Sequence, residues 1–173
     1  TTTNGKTAKA AEGYPNIGLS AEAQAGVVKI LSALLADEFV LYTRLRKYHW
    51  NVTGPEFFSL HASFEKQYEA IAEVIDQVAE RIRTYGVNSP GTLEEFKQHA
   101  RLTEQPGVNP DAHQMVLDIV ADHEALVRYL REDIETIDDK FDDVGAEDLL
   151  TGLMQSHQTN AWMMRSLIQG KLV

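Results

Sequence analysis

Apolar residues recur three and four positions apart through four long segments of this chain, the spacing of helices that each bury one face. The first predicted helix starts at Ser20, a suitable N-cap, and continues to the breaker pair at residues 54–55. The second runs from about Phe57 to Tyr85, with Gly86 after it. This periodicity favours an all-α protein over any sheet-based fold.

Two further helices complete the pattern. Asn109 and Pro110 are predicted to open the third helix as N-cap and first helical residue. The acidic stretch DDKFDDVG, residues 138–145, is expected to end it, and a fourth helix is predicted from Ala146 to Gln169. Four long helices without a convincing strand indicate a four-helix bundle, whose long second-to-third connection crosses the bundle.

That long connection holds a capping-box pattern, Thr92 followed by Glu95, which predicts a short extra helix from Leu93 to about Arg101. Residues 1–19 show neither helical nor strand periodicity and are predicted to be a flexible N-terminal tail. Residues 20–173 are therefore expected to form one bundle domain, which suits a chain of 173 residues.

The composition limits which metals and partners the chain could bind. The chain has no cysteine, so a metal would have to be held by imidazole and carboxylate groups, which favours iron, manganese or zinc. A formal net charge of -10 repels nucleic acid and attracts cations wherever carboxylates converge. Neither a membrane-spanning apolar run nor a signal-like start is visible, so no membrane association and a cytoplasmic location are expected.

Four potential metal ligands share one face of the second helix: His61, Glu65, Asp76 and Glu80. At the helical repeat they lie at roughly 0°, 40°, 60° and 100° around the axis. Glu65 and Asp76 are nevertheless about 16 Å apart along that axis, far beyond the reach of a shared metal bond. One copy of this helix cannot close a metal site alone.

Two copies can close it, because the four positions are arranged symmetrically about a point between residues 70 and 71. Antiparallel packing about a two-fold axis there would bring His61 to Glu80 of the partner subunit and Glu65 to Asp76 of the partner subunit. His49, at the end of the first helix, could be brought beside His61 by the intervening turn. The alternative is that these are ordinary exposed charges, with Glu80 paired to a nearby lysine or arginine.

A di-iron centre within a single bundle typically uses Glu-x-x-His pairs. None of the six histidines has a glutamate three positions before it, which argues against that arrangement. Mixed nitrogen and oxygen ligands with open positions instead suit ferrous iron that must meet an oxidant.

The stretches HWNVTGPEFFSLHASFEKQYEAI, IDQVAERI and WMMRSLIQG resemble the Dps family of mini-ferritins, and the similarity covers nearly all of residues 20–170. The resemblance implies a ferritin-like bundle in a dodecameric shell. Such a shell oxidises ferrous iron, preferably with hydrogen peroxide, at sites between subunits that hold up to two irons, and stores the ferric mineral, protecting against oxidative damage. Zinc would be a competing metal.

Carried over to this sequence, the resemblance makes His49, His61 and Glu65 the ligands from one subunit, and Asp76 and Glu80 those from its two-fold neighbour. Glu65 departs from the aspartate of many members. Trp50 resembles the tryptophan beside the ferroxidase centre.

The turn into the fourth helix is acidic where the family lines its three-fold pores. Asp143 and Asp148 are the preferred candidate pore residues, and a solvated acidic turn is the alternative for them.

Rival functions remain open at this point. One is a structural DNA-compacting protein whose metal site is vestigial or zinc-filled, and another is a monomeric bundle that binds a small ligand. DNA binding is expected to be weak or absent, because the tail carries only Lys6 and Lys9 opposed by Glu12. No role is assigned to the remaining histidines, His99, His113, His123 and His157.

Overall fold

The structure, a computed structural model, describes residues 13–168. Its helices are α1 (Ala21–Asn51), α2 (Phe57–Thr84), α3 (Leu93–His99), α4 (Ala112–Lys140) and α5 (Val144–Ile168). The closest pairings are α1 with α2 and α4 with α5, while α3 and α4 also contact α1. No strand occurs in the described part. The predicted all-α four-helix bundle with a short helix in its long connection is confirmed.

The four long helices bury their apolar faces in a common core. Leu31 and Leu45 from α1, Phe64 from α2, Ile119 from α4 and Leu150 from α5 are all inaccessible to solvent. Removing such side chains from water is the main driving force for packing the helices together. None of the helices in residues 13–168 is long and apolar enough to cross a membrane.

The helix starts follow their capping chemistry, with one difference from prediction. The hydroxyl of Ser20 accepts a hydrogen bond from the amide of Ala23, as expected of an N-cap. In α4 the cap is Asp111, whose carboxylate accepts from the amide of Gln114 at 2.8 Å, so α4 starts after the predicted Asn109 and Pro110. Asparagine and aspartate are about equally favourable N-caps, so residue type alone could not distinguish Asn109 from Asp111.

The crossing connection between α2 and α4 is tied to the bundle by Asp37. This fully buried carboxylate of α1 accepts hydrogen bonds from the backbone amides of Arg101 and Leu102 and from the Arg101 side chain. Arg101 also pairs with Asp133 of α4 at 2.8 Å. Because both amides face Asp37, α3 ends at His99 and not at the predicted Arg101.

The break between α4 and α5 is shorter than the predicted 138–145. Helix α4 continues to Lys140, Asp142 adopts a positive φ of 53°, and α5 begins at Val144, two residues before the predicted start. The Asp143 carboxylate accepts from the amide of Ala146 and so caps the start of α5.

The predicted N-terminal tail is only partly described. Residues 1–12 lie outside the described residues, as do 169–173 with the predicted helix end at Gln169. Residues 13–19 contact the bundle, because the Gln24 side chain donates to the carbonyls of Pro15 and Leu19.

Candidate metal centre

His49 and His61 form a reciprocal pair where α1 and α2 meet. The Nδ1 of each imidazole donates to the backbone carbonyl of the other residue, both at 2.8 Å. Their rings stack with centroids 3.7 Å apart and an interplanar angle of 20°. The turn between the helices, in which Gly54 has a φ of 109°, brings together two residues twelve positions apart in the sequence.

This hydrogen bonding determines which nitrogen of each ring is available. Since Nδ1 of both imidazoles donates to a carbonyl, Nε2 is the nitrogen of each neutral ring that can bind a metal. In metalloproteins, a histidine ligand usually donates its other ring N–H to a carbonyl or carboxylate that orients the ring. The backbone carbonyls of His49 and His61 are partners of this kind. The pair is ready to act as two nitrogen ligands.

Aromatic rings hold the pair from two sides. The ring of Phe57 stacks on His61 with centroids 5.0 Å apart, and the ring of Tyr68 meets His49 edge-on at 5.3 Å. His49 is 8% exposed. The imidazoles are therefore fixed by packing as well as by hydrogen bonds.

Glu65, one turn after His61, is half-buried and held by Tyr68. The Tyr68 hydroxyl donates to Glu65 Oε1 at 3.2 Å. The guanidinium of Arg46 lies over the Tyr68 ring, 4.5 Å from its centroid. Neither Tyr68, read in the sequence only as part of an apolar stripe, nor Arg46 was predicted to belong to the site. Their signal was positional, because each lies three residues from a predicted ligand.

Asp76 and Glu80 lie farther along α2, with both side chains exposed. Among the described residues neither carboxylate is within ion-pair distance of a lysine or arginine. Nor does this part of the chain bring any three histidine, aspartate or glutamate side chains close enough to hold a metal ion. Within one chain, the predicted ligands are split into a histidine-containing half and a carboxylate half.

The two candidate pore residues differ in environment. Asp143 is buried, accepting hydrogen bonds from Tyr85 and Arg81 as well as capping α5. Its carboxylate is thus used inside the chain. Asp148 is exposed. Burial, followed by repulsion from Asp138, Asp142 and Asp143, raises the pKa of Glu147, which shows that carboxylates converge at this turn and adds Glu147 to the group.

The remaining histidines fall into two groups. His99 and His113 are exposed. His123 and His157 are buried in the bundle and belong to a polar layer with one residue from each long helix, completed by Glu38 and Gln67. The layer was not predicted from the sequence, because its members are far apart in the chain and none belongs to a recognisable motif.

Hydrogen bonds run through that layer without a gap. His123 Nε2 donates to Gln67 Oε1 at 2.9 Å, so its Nδ1 accepts from His157 Nδ1, also at 2.9 Å. His157 Nε2 is in turn within hydrogen-bond distance of Glu38 Oε1, at 2.8 Å. Every imidazole nitrogen has a partner in this layer, whereas the second carboxylate oxygen of Glu38, Oε2, is buried without one among the described residues.

Comparisons with known proteins agree with this architecture. A family model described as a Ferritin-like domain matches residues 28–172. A Nostoc protein named an uncharacterized low temperature-induced protein is 47% identical over 156 residues, covering 90% of this chain and 87% of its own. The Bacillus anthracis DNA protection during starvation protein 2 is 35% identical, covering 82% of this chain and 96% of its own.

Among solved structures, the crystal structure of a Dps protein from Bacillus brevis superposes with a TM-score of 0.81 at 32% identity, covering 86% of this chain and 99% of that one. The fold and these similarities define a ferritin-like four-helix-bundle protein. Within that class, the chain belongs to the Dps family of mini-ferritins, and the resemblance found in the sequence is confirmed.

Proposed function

We propose that this protein is a ferroxidase that oxidises ferrous iron at sites shared by two subunits and stores the ferric product in a dodecameric shell. The observation that carries the proposal is the reciprocal pair of His49 on α1 and His61 on α2, the helix that also bears Glu65, Asp76 and Glu80. Membership of the Dps family supports a role in iron-related protection.

The proposed site takes its two halves from different chains. His49, His61 and Glu65 come from one subunit, and Asp76 and Glu80 from the other. Two large aromatic side chains next to the histidines, Trp50 and Phe58, are 66% and 84% exposed in the single chain. Exposed apolar side chains beside an incomplete site support a surface that a second copy covers.

The ligand set suits a reaction in which two ferrous ions each give one electron to the same oxidant. Carboxylates from both chains would neutralise and position ferrous ions, and the few protein ligands leave coordination positions open for an oxidant. Two ferrous ions close together supply the two electrons that reduce hydrogen peroxide to water. Because neither electron is delivered alone, hydroxyl radical is not released. As the Dps resemblance implies, hydrogen peroxide is the proposed oxidant over oxygen, and zinc is the proposed competitor for the ligands.

Iron would enter through pores lined by the acidic turn before α5. Asp148 and Glu147 are the proposed pore carboxylates, because their side chains are not used to hold the chain together as that of Asp143 is. Rings of carboxylates made by symmetry would raise the local concentration of cations.

Peroxide-driven oxidation of ferrous iron by His61→Ala and by Asp76→Ala, followed by absorbance of the ferric product, tests the proposal. Each variant removes one half of the site, so each should oxidise iron no faster than buffer. His99→Ala, which changes an exposed histidine elsewhere, is the matched control and should behave as wild type. Wild-type rates in both site variants would exclude these residues as the ferroxidase centre.

A further inference from the structure

We infer that Tyr68, held by Arg46, is a positioning residue that binds one oxygen of the Glu65 carboxylate and leaves the other, Oε2, for the metal. The inference rests on the proposed function and concerns the same site. It gives Glu65 a defined geometry in a position where the family often has a shorter aspartate.

The hydroxyl of Tyr68 is placed to do this. It donates to Glu65 Oε1 at 3.2 Å from one helical turn further along α2. A tyrosine hydroxyl ordinarily loses its proton only near pH 10. The hydroxyl therefore stays protonated and remains a donor at neutral pH.

Arg46 keeps the Tyr68 ring in place. Its guanidinium lies 4.5 Å from the centroid of that ring, a cation–π distance, and also donates to the hydroxyl of Tyr42 at 2.9 Å. Tyr42 in turn meets Tyr68 edge-on, with centroids 6.1 Å apart. Contacts on two sides of the ring restrict its rotation, so the hydroxyl has a fixed position relative to α2.

Tyr68 also links the two helices that supply the ligands. The edge contact between its ring and that of His49 joins α1 to the site, while its hydroxyl holds Glu65 on α2. One side chain thus sets the positions of an imidazole and a carboxylate ligand. Partners that orient ligands in this way commonly contribute 10-fold to 100-fold in metal affinity.

The length of the Glu65 side chain is what makes this arrangement work. Glutamate has one more methylene than aspartate, so its carboxylate can bend towards the hydroxyl three residues later. An aspartate at the same position would hold its carboxylate closer to the helix and out of reach of Tyr68. With Oε1 engaged, Glu65 acts as a one-oxygen ligand.

The first test is Tyr68→Phe in the assembled protein, titrated with Co²⁺ and monitored by its visible absorption bands, whose intensity reports coordination. Phenylalanine keeps the ring and its contacts with Arg46 and His49, so only the hydrogen bond is lost. Co²⁺ affinity should fall about 10-fold. The KM for ferrous iron should rise by a similar factor while kcat changes much less. Tyr129→Phe, which removes a tyrosine hydroxyl on α4, is the control and should match wild type.

The second test is a double-mutant cycle with Glu65→Asp. If Tyr68 acts through the Glu65 carboxylate, Tyr68→Phe should have no further effect on Co²⁺ affinity once residue 65 is aspartate. Independent effects of equal size in both backgrounds would overturn the inference, as would wild-type affinity and KM in Tyr68→Phe. A wild-type protein that neither binds Co²⁺ nor oxidises iron would instead refute the proposed function itself.

Discussion

Asp143 and Asp148, at the same acidic turn, differ in burial: the carboxylate of Asp143 is used inside the chain, and that of Asp148 is exposed. Asp143 is 5% exposed and satisfies Tyr85, Arg81 and the first turn of α5, whereas Asp148 faces solvent. Burial, followed by the hydrogen bond to Asp143, raises the pKa of Tyr85, so its hydroxyl remains a donor at neutral pH.

Asp143→Ala should therefore destabilise the chain by about 1–3 kcal/mol, because a buried hydroxyl is left without its acceptor and α5 loses its cap. Urea denaturation followed by circular dichroism measures this change. A stability equal to wild type would show that the carboxylate has no structural role.

Asp148→Asn should slow iron uptake without changing stability. Its stability should stay within about 0.5 kcal/mol of wild type, since the side chain is exposed and unpaired in the described structure. Ferrous uptake by the assembled shell, measured by stopped-flow absorbance at limiting iron, should be slower. Unchanged uptake would remove Asp148 from the proposed entry route.

The positions of single residues could be predicted from the sequence where they depend on local geometry. The spacing along α2 placed four candidate ligands on one face, and the short turn after α1 indicated that His49 could approach His61. Assignment of these residues as ligands remains a prediction. The positions of Tyr68 and Arg46, three residues from predicted ligands, did not reveal their roles, because those roles depend on the direction of one hydroxyl and one guanidinium in the folded chain.

At the level of helices, the crossing connection depends on one buried acid. Asp37 of α1 receives two backbone amides and the Arg101 side chain, and Arg101 also binds Asp133 of α4. Asp37→Ala should destabilise the protein by about 3–5 kcal/mol, because it leaves Arg101 and two amides without their acceptor. Hydrogen exchange at the amides of residues 101 and 102 should accelerate more than exchange in the α5 core; equal protection in both proteins would contradict this role.

The helix boundaries show why such contacts limit prediction from sequence. Local signals were sufficient for the start of α1 at Ser20 and for the capping box of Thr92 and Glu95. The end of α3 was predicted two residues too late, since it depends on Asp37, more than sixty positions away in the chain. Local patterns thus predict elements well, and long-range hydrogen bonds adjust their ends.

For the whole molecule, the buried polar layer links stability to pH. Burial, together with the neighbouring His157, lowers the pKa of His123 well below its ordinary value of 6.5. The unfolded chain therefore gains this proton before the folded one does, so His123 reduces stability as pH falls below about 6.5. Burial also raises the pKa of Asp122 to about 6, and its proton uptake by the folded chain offsets part of the loss at lower pH.

The contribution of His123 to the free energy of unfolding should consequently fall between about pH 6.5 and 5, with a slope that approaches about 1.4 kcal/mol per pH unit. Urea denaturation across this range compares wild type with His123→Gln, which should lack that part of the slope. His113→Gln, an exposed control, should retain it. Identical slopes in wild type and His123→Gln would show that the folded chain does not lower the pKa of His123.

The net charge of the chain predicts weak or absent DNA binding. A chain with a formal charge of -10 repels phosphates, so protection would come from removing iron and peroxide and not from covering DNA. Gel-shift assays at about 0.15 M salt should show no stable complex. A strong shift would favour the alternative, a DNA-compacting protein with a vestigial or zinc-filled site.

The central claim is that each iron site takes its ligands from two chains, and mixing two inactive variants tests it most directly. His61→Ala and Asp76→Ala are dissociated, mixed in equal amounts, reassembled and assayed for peroxide-driven iron oxidation. In a mixed dimer one site carries both defects and the other carries none, so random pairing should restore about a quarter of wild-type activity. A reassembled mixture as inactive as either variant alone would contradict the shared site.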